Sequence, residues 1–333
     1  MTIERIISPL TGLLIVAVTV GTFLAQSDNS PKLLAAGVIS GPADDLSPAF
    51  SPDGKTVYFT RGNPNSSVIM FSTLQRGKWS TPEIAPFSGV WKDLEPGMAP
   101  DGSFLLFVSN RPSSDGGTPL DGHYNGRIFT GSGGNLWRVS RDGNGWGIPQ
   151  RLPETINTNT EVFSPSIASD GSIYFMRPDP TTGNFHLYRS QYHSGVYLPA
   201  ATVNIGDADS EEVDPAVAPD QSFLVFSSNR PLKKEPKRLR IAFREKDGWR
   251  TPLDLGDEVN ELGSNIEARL SADHRTLYFS TNTVPPSHLP RSREQAQRDL
   301  VEMELWANGR QNIWYVSLDP WLHDLPVPAV DSR

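Results

Sequence analysis

The stretch SPAFSPDGKTVYFTR (47–61) joins a proline, a short apolar segment, an Asp-Gly pair and a strand of alternating apolar residues. Gly accepts the positive φ that a two-residue turn requires, so Asp-Gly between apolar segments predicts a β-hairpin. The pattern recurs as EPGMAPDGSFLLFVSNR (95–111), SPSIASDGSIYFMR (164–177), DPAVAPDQSFLVFSSNR (214–230) and EARLSADHRTLYFSTN (267–282). Gln221 and His274 replace the glycine in the last two copies, which leaves the turn type there open.

Each hairpin is followed by a third strand and, in the first four copies, by a turn into a fourth. The third strands are VIMFSTL (68–74), NLWRVSR (135–141), HLYRSQY (186–192), LRIAFRE (239–245) and NIWYVSL (312–318). An aromatic residue follows four of these turns, at Trp79, Trp146, Tyr197 and Trp249. Repeated units of four antiparallel strands predict an all-β fold, a β-propeller whose aromatics pack between blades. A β-sandwich is the alternative, but it does not need one motif five times.

The strand count favours five blades. The fifth unit ends at its third strand, near Leu318, and has no fourth strand of its own. Upstream of the first unit, KLLAAGVISG (32–41) is similar to the fourth-strand stretch EIAPFSG (83–89). An N-terminal strand would therefore complete the last blade and close the ring without exposed edges. Six blades, with an irregular sixth in the tail, are the alternative.

These SPDG-type units resemble the WD40-like repeats called PD40, which build TolB-like propellers. The resemblance covers roughly residues 31–320 and implies the propeller fold, whereas it implies little about function because such propellers have many roles. TolB carries an additional α/β domain before its propeller, and only some 20 residues separate the leader from the first repeat here. The partners of TolB in the Tol–Pal envelope system are therefore not expected for this chain.

The composition excludes several classes of protein. The 333 residues include 30 basic and 38 acidic side chains, for a net charge of −8, and no cysteine. An acidic chain without a basic block is not expected to bind nucleic acid or anionic membranes. The absence of cysteine excludes disulfides, cysteine-type zinc sites and thiolate catalysis.

The first residues predict export. IISPLTGLLIVAVTVGTFLA (6–25) is an apolar run behind Arg5, and Ala25-Gln26-Ser27 fits a cleavage site. We therefore expect a signal peptide, or an uncleaved inner-membrane anchor, over 1–27, the propeller over 28–322 and a tail over 323–333. The expected location is the periplasm or the exterior of the cell.

Two insertions lie between second and third strands, in loops that open on the same face as the blade-to-blade loops. They span 112–134 and 283–310, and the second contains a predicted helix over 293–307. Ser292 is the expected N-cap, with Gln295 three residues on. A helix packed across the ring as a plug is the first interpretation, and a helix that docks a partner is the second.

Acidic residues precede the repeated proline in the blade-to-blade loops and would form a ring near one mouth of the channel. They are Asp44, Asp45, Asp93, Glu95, Glu161, Glu211, Glu212, Asp214 and Glu267. Such a ring could bind Ca²⁺ or another divalent cation through hard oxygen ligands. It could also supply two opposed carboxylates for glycoside hydrolysis. The plainest interpretation is that each acid accepts hydrogen bonds from its own loop.

Arginines end four of the second strands on the same face, at Arg61, Arg111, Arg177 and Arg230. We expect them to form ion pairs between neighbouring blades, with binding of an anionic ligand as the alternative. His123, near Tyr124 and Arg127 in the first insertion, is either a solvated loop residue or a base or metal ligand.

The sequence therefore predicts an exported, monomeric propeller that binds an envelope protein, a small ligand or a glycan on its insertion-bearing face, without a cofactor and without catalysis. The alternative is a secreted carbohydrate-active hydrolase or lyase. Its catalytic groups would come from Asp45, Asp93, Glu161, Glu212 and His123.

Overall fold

The computed structural model describes residues 29–114, 116–124, 126–205, 209–230, 236–284, 286 and 288–323. Five small antiparallel sheets stand around a common axis as the blades of a propeller. The first strands of neighbouring blades contact one another around that axis. The predicted fold class is thus confirmed, while the predicted leader at 1–27 and all of the predicted tail except His323 lie outside the described residues.

The first half of the chain forms β1 and two blades. Strand β1 is Lys32–Leu33. Blade 1 contains β2 (Asp44–Phe50), β3 (Thr56–Asn63), β4 (Ser66–Gln75), β5 (Lys78–Trp79) and β6 (Glu83–Ile84). Blade 2 contains β7 (Asp93–Met98), β8 (Phe104–Ser109), β11 (Asn135–Asp142), β12 (Gly145–Trp146) and β13 (Gln150–Arg151), and its insertion contains β9 (Gly122–Tyr124) and β10 (Arg127–Phe129).

The second half forms three blades. Blade 3 contains β14 (Phe163–Ile167), β15 (Ile173–Pro178), β16 (Phe185–Ser190), β17 (Tyr192–His193), β18 (Val196–Tyr197) and β19 (Ala201–Thr202). Blade 4 contains β20 (Glu212–Val217), β21 (Phe223–Ser228), β22 (Arg238–Glu245), β23 (Gly248–Trp249) and β24 (Leu253–Asp254). After α1 (Asp257–Asn260), blade 5 contains β25 (Ile266–Leu270), β26 (Thr276–Thr281) and β27 (Asn312–Ser317), with α2 (Arg293–Leu305) in its insertion and α3 (Asp319–Leu322) at its end.

The N-terminal strand closes the ring. Strand β1 pairs antiparallel with β27, with Lys32 opposite Tyr315 and Leu33 opposite Trp314, and so becomes the fourth strand of blade 5. The prediction of five blades joined in this way is confirmed. The last blade thus takes its outer strand from the segment that precedes blade 1, and this pairing joins blade 5 to blade 1.

The turns between the first and second strands share one conformation, including the two that lack glycine. We call them the Asp-type turns; their aspartates are Asp53, Asp101, Asp170, Asp220 and Asp273. Gln221 and His274 have φ of 61° and 57°, close to the 67° of Gly54 at the same position. In each turn the aspartate accepts a backbone N–H two residues on, as Asp220 does from Ser222 at 2.9 Å. The side-chain acceptor holds the turn, which offsets the cost of a left-handed residue other than glycine.

Aromatic residues pack between blades, as predicted. The indole of Trp146 in blade 2 lies 5.6 Å from the ring of Tyr58 in blade 1, and its Nε1 donates to the Tyr58 hydroxyl at 3.0 Å. Trp249 in blade 4 lies 6.4 Å from Tyr174 in blade 3 in the same way. These T-shaped pairs bury large apolar surfaces, which dominates the stability of a blade junction.

Helix α2 begins where the sequence predicts, with the Ser292 hydroxyl accepting from the Gln295 N–H at 3.2 Å. It is joined to the body at its C-terminal end, where Trp306 packs against Trp314 and Asn308 donates to the Pro42 carbonyl. No helix in the described part of the chain has the length and apolar character needed to span a membrane.

Candidate functional site

Asp45, at the start of blade 1, is held by the arginine that ends the next strand. The Arg61 Nε lies 2.6 Å from the Asp45 Oδ1, because the two residues are directly opposite in the β2–β3 register. Arg61 also donates to the Val38 and Ile39 carbonyls in the segment that enters from β1, both at 3.0 Å. Burial raises the pKa of Asp45 to about 6, and the Arg61 guanidinium opposes that rise.

Blade 2 repeats this arrangement. The Arg111 Nη1 lies 2.8 Å from the Asp93 Oδ1, and Arg111 donates to the Phe87 carbonyl of the incoming loop at 2.7 Å. The fully buried Asp93 also accepts hydroxyl hydrogen bonds from Ser88 at 2.8 Å and from Ser109 at 2.7 Å. Burial raises the pKa of Asp93, and Arg111 opposes that rise. Arg111, Ser88 and Ser109 therefore occupy the hydrogen-bonding positions of the Asp93 carboxylate.

Blade 4 contains the third copy, with an added histidine. Glu212 accepts from Arg230 at 2.6 Å and from Ser210 at 2.6 Å, and its second oxygen lies 2.8 Å from the His186 Nδ1 of blade 3. Arg230 donates to the Ile205 carbonyl at 3.0 Å. The hydrogen bond with Glu212 raises the pKa of His186.

The prediction that these arginines form ion pairs between neighbouring blades is therefore wrong. Each of the three arginines pairs with an acid of its own blade, because the antiparallel register brings the two strand ends together. The link to the preceding blade runs instead through a backbone carbonyl. Arg177 does not form such a pair: it donates to the Thr158 hydroxyl at 2.8 Å, and its guanidinium lies 4.0 Å from the centre of the Tyr188 ring.

A second set of acids lies deeper, on the propeller axis. Every first strand has a β-bulge at the residue before the proline, or before Ala268 in blade 5, and that residue has φ between 52° and 59°. A proline cannot donate to a sheet ladder, so the bulge is where the innermost strand tolerates it. We call these bulge residues the axial ring; they are Ser47, Glu95, Ser164, Asp214 and Glu267.

Side chains of the axial ring join successive blades. Ser164 N donates to Glu95 at 2.6 Å, Glu267 N donates to Asp214 at 3.0 Å, and the Ser47 hydroxyl donates to Glu267 at 2.7 Å. Gly97 in blade 2 permits this close approach, since a Cβ there would lie 2.6 Å from the Pro165 carbonyl oxygen. The ring is thus a set of hydrogen bonds between blades rather than an open array of ligands.

Three carboxyl groups of the axial ring, those of Glu95, Asp214 and Glu267, are buried near the guanidinium of Arg269. The Arg269 Nη2 lies 3.2 Å from the Glu267 Oε2, and Arg269 also donates to the Ser164 hydroxyl at 3.2 Å. Burial, and then repulsion by Asp214, raises the pKa of Glu95 to about 7, and the pKa of Glu267 is raised well above its usual range by the same causes. Burial also raises the pKa of Asp214.

Sequence reasoning did not single out Arg269. Arg269 lies two residues after Glu267, the axial-ring residue of blade 5. The other four blades have small residues at this position, and this difference is the feature of the sequence that could have identified Arg269. They are Ala49, Gly97, Ser166 and Ala216. Within the described residues, no group of three or more His, Cys, Asp or Glu side chains is arranged to hold a metal ion.

The hairpin β9–β10 brings His123 and Tyr124 to the mouth near blade 3. The His123 Nδ1 lies 3.2 Å from Glu161, whose carboxylate also accepts the His123 backbone N–H. Tyr124 donates its hydroxyl to Glu211 at 2.9 Å, and Lys237 lies 3.3 Å from the same carboxylate. Glu161 is largely buried, whereas the His123 side chain is 58% exposed. The structure thus places His123 beside Glu161. Neither of these two residues contacts Asp45, Asp93 or Glu212 in the described part of the chain.

Both insertions expose apolar side chains. In β10 these are Ile128 and Phe129, and in α2 they are Leu300, Val301, Met303 and Leu305, which are between 41% and 54% exposed. No residue of α2 is buried. The first interpretation of this helix, a plug packed across the ring, is therefore wrong, because a plug would bury one face against the blades.

Comparison with known proteins concerns the fold. No protein-family model matches the sequence, and no curated protein matches it. Among solved structures, TolB from Acinetobacter baumannii is 20% identical with a TM-score of 0.39; the match covers 63% of this chain and 46% of that one, so this chain spans less than half of that protein's length.

Two further structures cover more of the chain. A putative TolB from Agrobacterium tumefaciens is 13% identical with a TM-score of 0.46, over 83% of this chain and 91% of that one. Regucalcin, a calcium-binding protein from the same organism, is 13% identical with a TM-score of 0.43, over 85% and 93%. Identities this low bear on architecture alone. The chain is similar in fold to TolB-like propellers.

Proposed function

We propose that this chain is an exported, non-catalytic propeller of the bacterial envelope that binds a partner protein through its insertion-bearing face. The observation that carries this proposal is the apolar surface exposed by β10 and α2 on that face. Contiguous exposed apolar side chains on a soluble protein commonly mark an interaction site.

Helix α2 has polar contacts of its own at its N-terminal end. Its N-terminus is capped by Ser292, and Arg291, just before the cap, lies 2.5 Å from Asp299. An isolated helix of 13 residues is marginal in water, since tertiary packing normally stabilises such a helix. Leu300, Val301 and Met303, which are each at least 50% exposed, therefore suit a surface that is covered when a partner binds.

The contacts of the mouth acids favour binding over hydrolysis. Glycoside hydrolysis needs two carboxyl groups that flank a sugar. Asp45, Asp93 and Glu212 are each held by an arginine and by further hydrogen bonds, which occupy the carboxylate oxygens and block access to them. The alternative hydrolase therefore depends on the pair that remains, His123 beside Glu161, which has an exposed imidazole next to a carboxylate.

The test is quantitative recovery of partners from envelope extracts with three forms of the full chain. Leu300→Asp/Met303→Asp places charges on α2, and Val196→Asp places one on an exposed apolar residue of β18, on the opposite face. We expect a stoichiometric, saturable partner that the α2 variant loses and the β18 variant keeps. Equal recovery by all three forms would contradict the proposal. Hydrolysis of a glycan panel that is lost in Glu161→Gln would establish the enzyme alternative instead.

A further inference from the structure

The junction that closes the ring differs from the two other junctions that have a Trp and a Tyr in these positions. In those junctions the rings meet directly, as Trp146 does with Tyr58 and Trp249 with Tyr174. At the closure, Trp79 of blade 1 and Tyr278 of blade 5 are separated by Phe50, whose ring lies 4.4 Å from Tyr278 and 6.2 Å from Trp79.

The cause of the separation is the residue that ends the first strand. Strand β2 ends with Phe50, whereas β7 and β20 end with Met98 and Val217 at the junctions that are filled. The larger, rigid ring of Phe50 acts as a wedge, because it occupies the space in which the indole would reach the phenol.

The wedge leaves a cleft of about 740 Å³ between blades 5 and 1, which we call the closure cleft. Its walls include Phe50, Trp79, Tyr278 and Tyr315, and its rim includes Lys78. Gly54 and Ser271, in the Asp-type turns, also line it, so the cleft opens on the face opposite the insertions. Its volume lies within the ~300–1,000 Å³ that is usual for small-molecule sites.

Polar groups on the aromatic walls are unused within the described part of the chain. There the Trp79 indole N–H, the Tyr278 and Tyr315 hydroxyls and the Lys78 ammonium make no hydrogen bond, in contrast to the Trp146 indole, which donates to Tyr58. Burial raises the pKa of Tyr278 to about 12, so its hydroxyl stays a neutral donor and acceptor. Aromatic side chains of this kind offer an apolar face and a polar edge to one ligand.

We propose that the closure cleft binds a short neutral oligosaccharide. A pyranose ring has apolar C–H faces that stack on aromatic rings and hydroxyl groups at its edge, which matches walls of four aromatic rings with N–H and O–H groups at their margins. Among the described residues that line the cleft there is no carboxylate and one cation, Lys78, so a multiply charged ligand would lack partners there. A purely apolar peptide would leave the indole and phenol groups unpaired, at a cost for each buried donor.

The test is calorimetry on the full chain with cellotriose, maltotriose and chitotriose, each a neutral trisaccharide. We expect saturable binding of at least one of them at one site per chain. Trp79→Ala should weaken that binding at least tenfold, and Phe50→Val should do the same, because the smaller residue lets Trp79 close onto Tyr278. Tyr58→Phe, which removes the same kind of hydroxyl from a filled junction, is the matched control and should leave the affinity unchanged.

Tyr278→Phe removes a single oxygen and keeps the assay informative if Trp79→Ala does not fold; we expect a severalfold loss. Three results would overturn the proposal: no binding of any trisaccharide, binding that survives both Trp79→Ala and Phe50→Val, or binding of an apolar aromatic peptide in place of the sugars. The site is independent of the partner-binding face, so its failure leaves the proposed function intact.

Discussion

Glu95 in blade 2 accepts the backbone N–H of Ser164 in blade 3 at 2.6 Å, from a residue that is itself in the left-handed conformation. The bond is possible because the β-bulge before each repeated proline turns one side chain of each innermost strand toward its neighbour. The repeated motif therefore specifies both the hairpin of each blade and a contact between blades at the axis.

The first prediction concerns pH. Burial raises the pKa of Glu95 from 4.5 to about 7. Between these two pH values the unfolded chain has released the Glu95 proton and the folded chain still holds it. The free energy of unfolding should therefore fall as pH rises from about 4.5 to 7, with Glu95 contributing up to about 1.4 kcal/mol per pH unit. Urea unfolding across this range measures the slope.

Glu95→Gln should reduce this slope, since the amide replaces the neutral acid and can still accept from Ser164. The exposed Glu83→Gln is the control and should keep the wild-type slope. Stability that rises between pH 5 and 7, or an unchanged slope in Glu95→Gln, would show that the axial carboxyls are ionised in the fold.

The second prediction compares two arginines. Arg111→Ala leaves the fully buried Asp93 without its cation, and the loss of one partner of a buried ion pair typically costs about 3–5 kcal/mol. Arg177→Ala removes a contact with a hydroxyl and a ring, for which we expect about 1 kcal/mol. Chemical denaturation of both variants gives the comparison, and equal losses would contradict the role assigned to Arg111.

The third prediction concerns two histidines with opposite environments. The hydrogen bond with Glu212 raises the pKa of His186 above 6.5, and burial lowers the pKa of His274 below that value. The stability that His186 contributes is present below about pH 6.5 and is lost as pH rises through its folded pKa. NMR titration should separate the two residues, and Glu212→Gln should shift His186 alone; a shift of both would point to a general change in structure.

The fourth prediction is that the exposed side chains of α2 do not stabilise the fold. Leu300→Asp/Met303→Asp should change the free energy of unfolding by about 0.5 kcal/mol or less, as for ordinary surface substitutions. Leu106→Asp, a charge at a fully buried position of blade 2, is the contrasting variant and should prevent folding. A large loss in the α2 variant would mean that the helix packs on the blades.

The features of the fold that the sequence predicted correctly depend mainly on its repeated motif. Five copies of one motif specified the blades, and the similarity of 32–41 to 83–89 indicated the strand that closes the ring. The Ser292 cap placed the start of α2, because capping depends on residues a few positions apart. The repeated aromatics predicted the blade junctions, of which the pair Trp146–Tyr58 is an example.

The features that were missed depend on distances across the ring. Pairing of Arg61 with Asp45 follows from the β2–β3 register and could have been counted from the turn. The contact of Glu95 with Ser164 depends instead on the rotation of one blade against the next, which no local pattern contains. The position of α2 depends on a long insertion, and the closure cleft depends on the size of the single residue Phe50.

Photo-crosslinking in the cell tests directly whether the insertion-bearing face binds a partner protein. A photoreactive amino acid is placed at Leu300 or Phe129 on the insertion-bearing face, and at Val196 on the opposite face, all of which are exposed. If the insertion-bearing face binds one partner, the first two positions should give one adduct of the same mass and Val196 should give none. Adducts from Val196 alone, or equally from all three positions, would contradict it, and an adduct at twice the mass of the chain would replace the partner by a second copy.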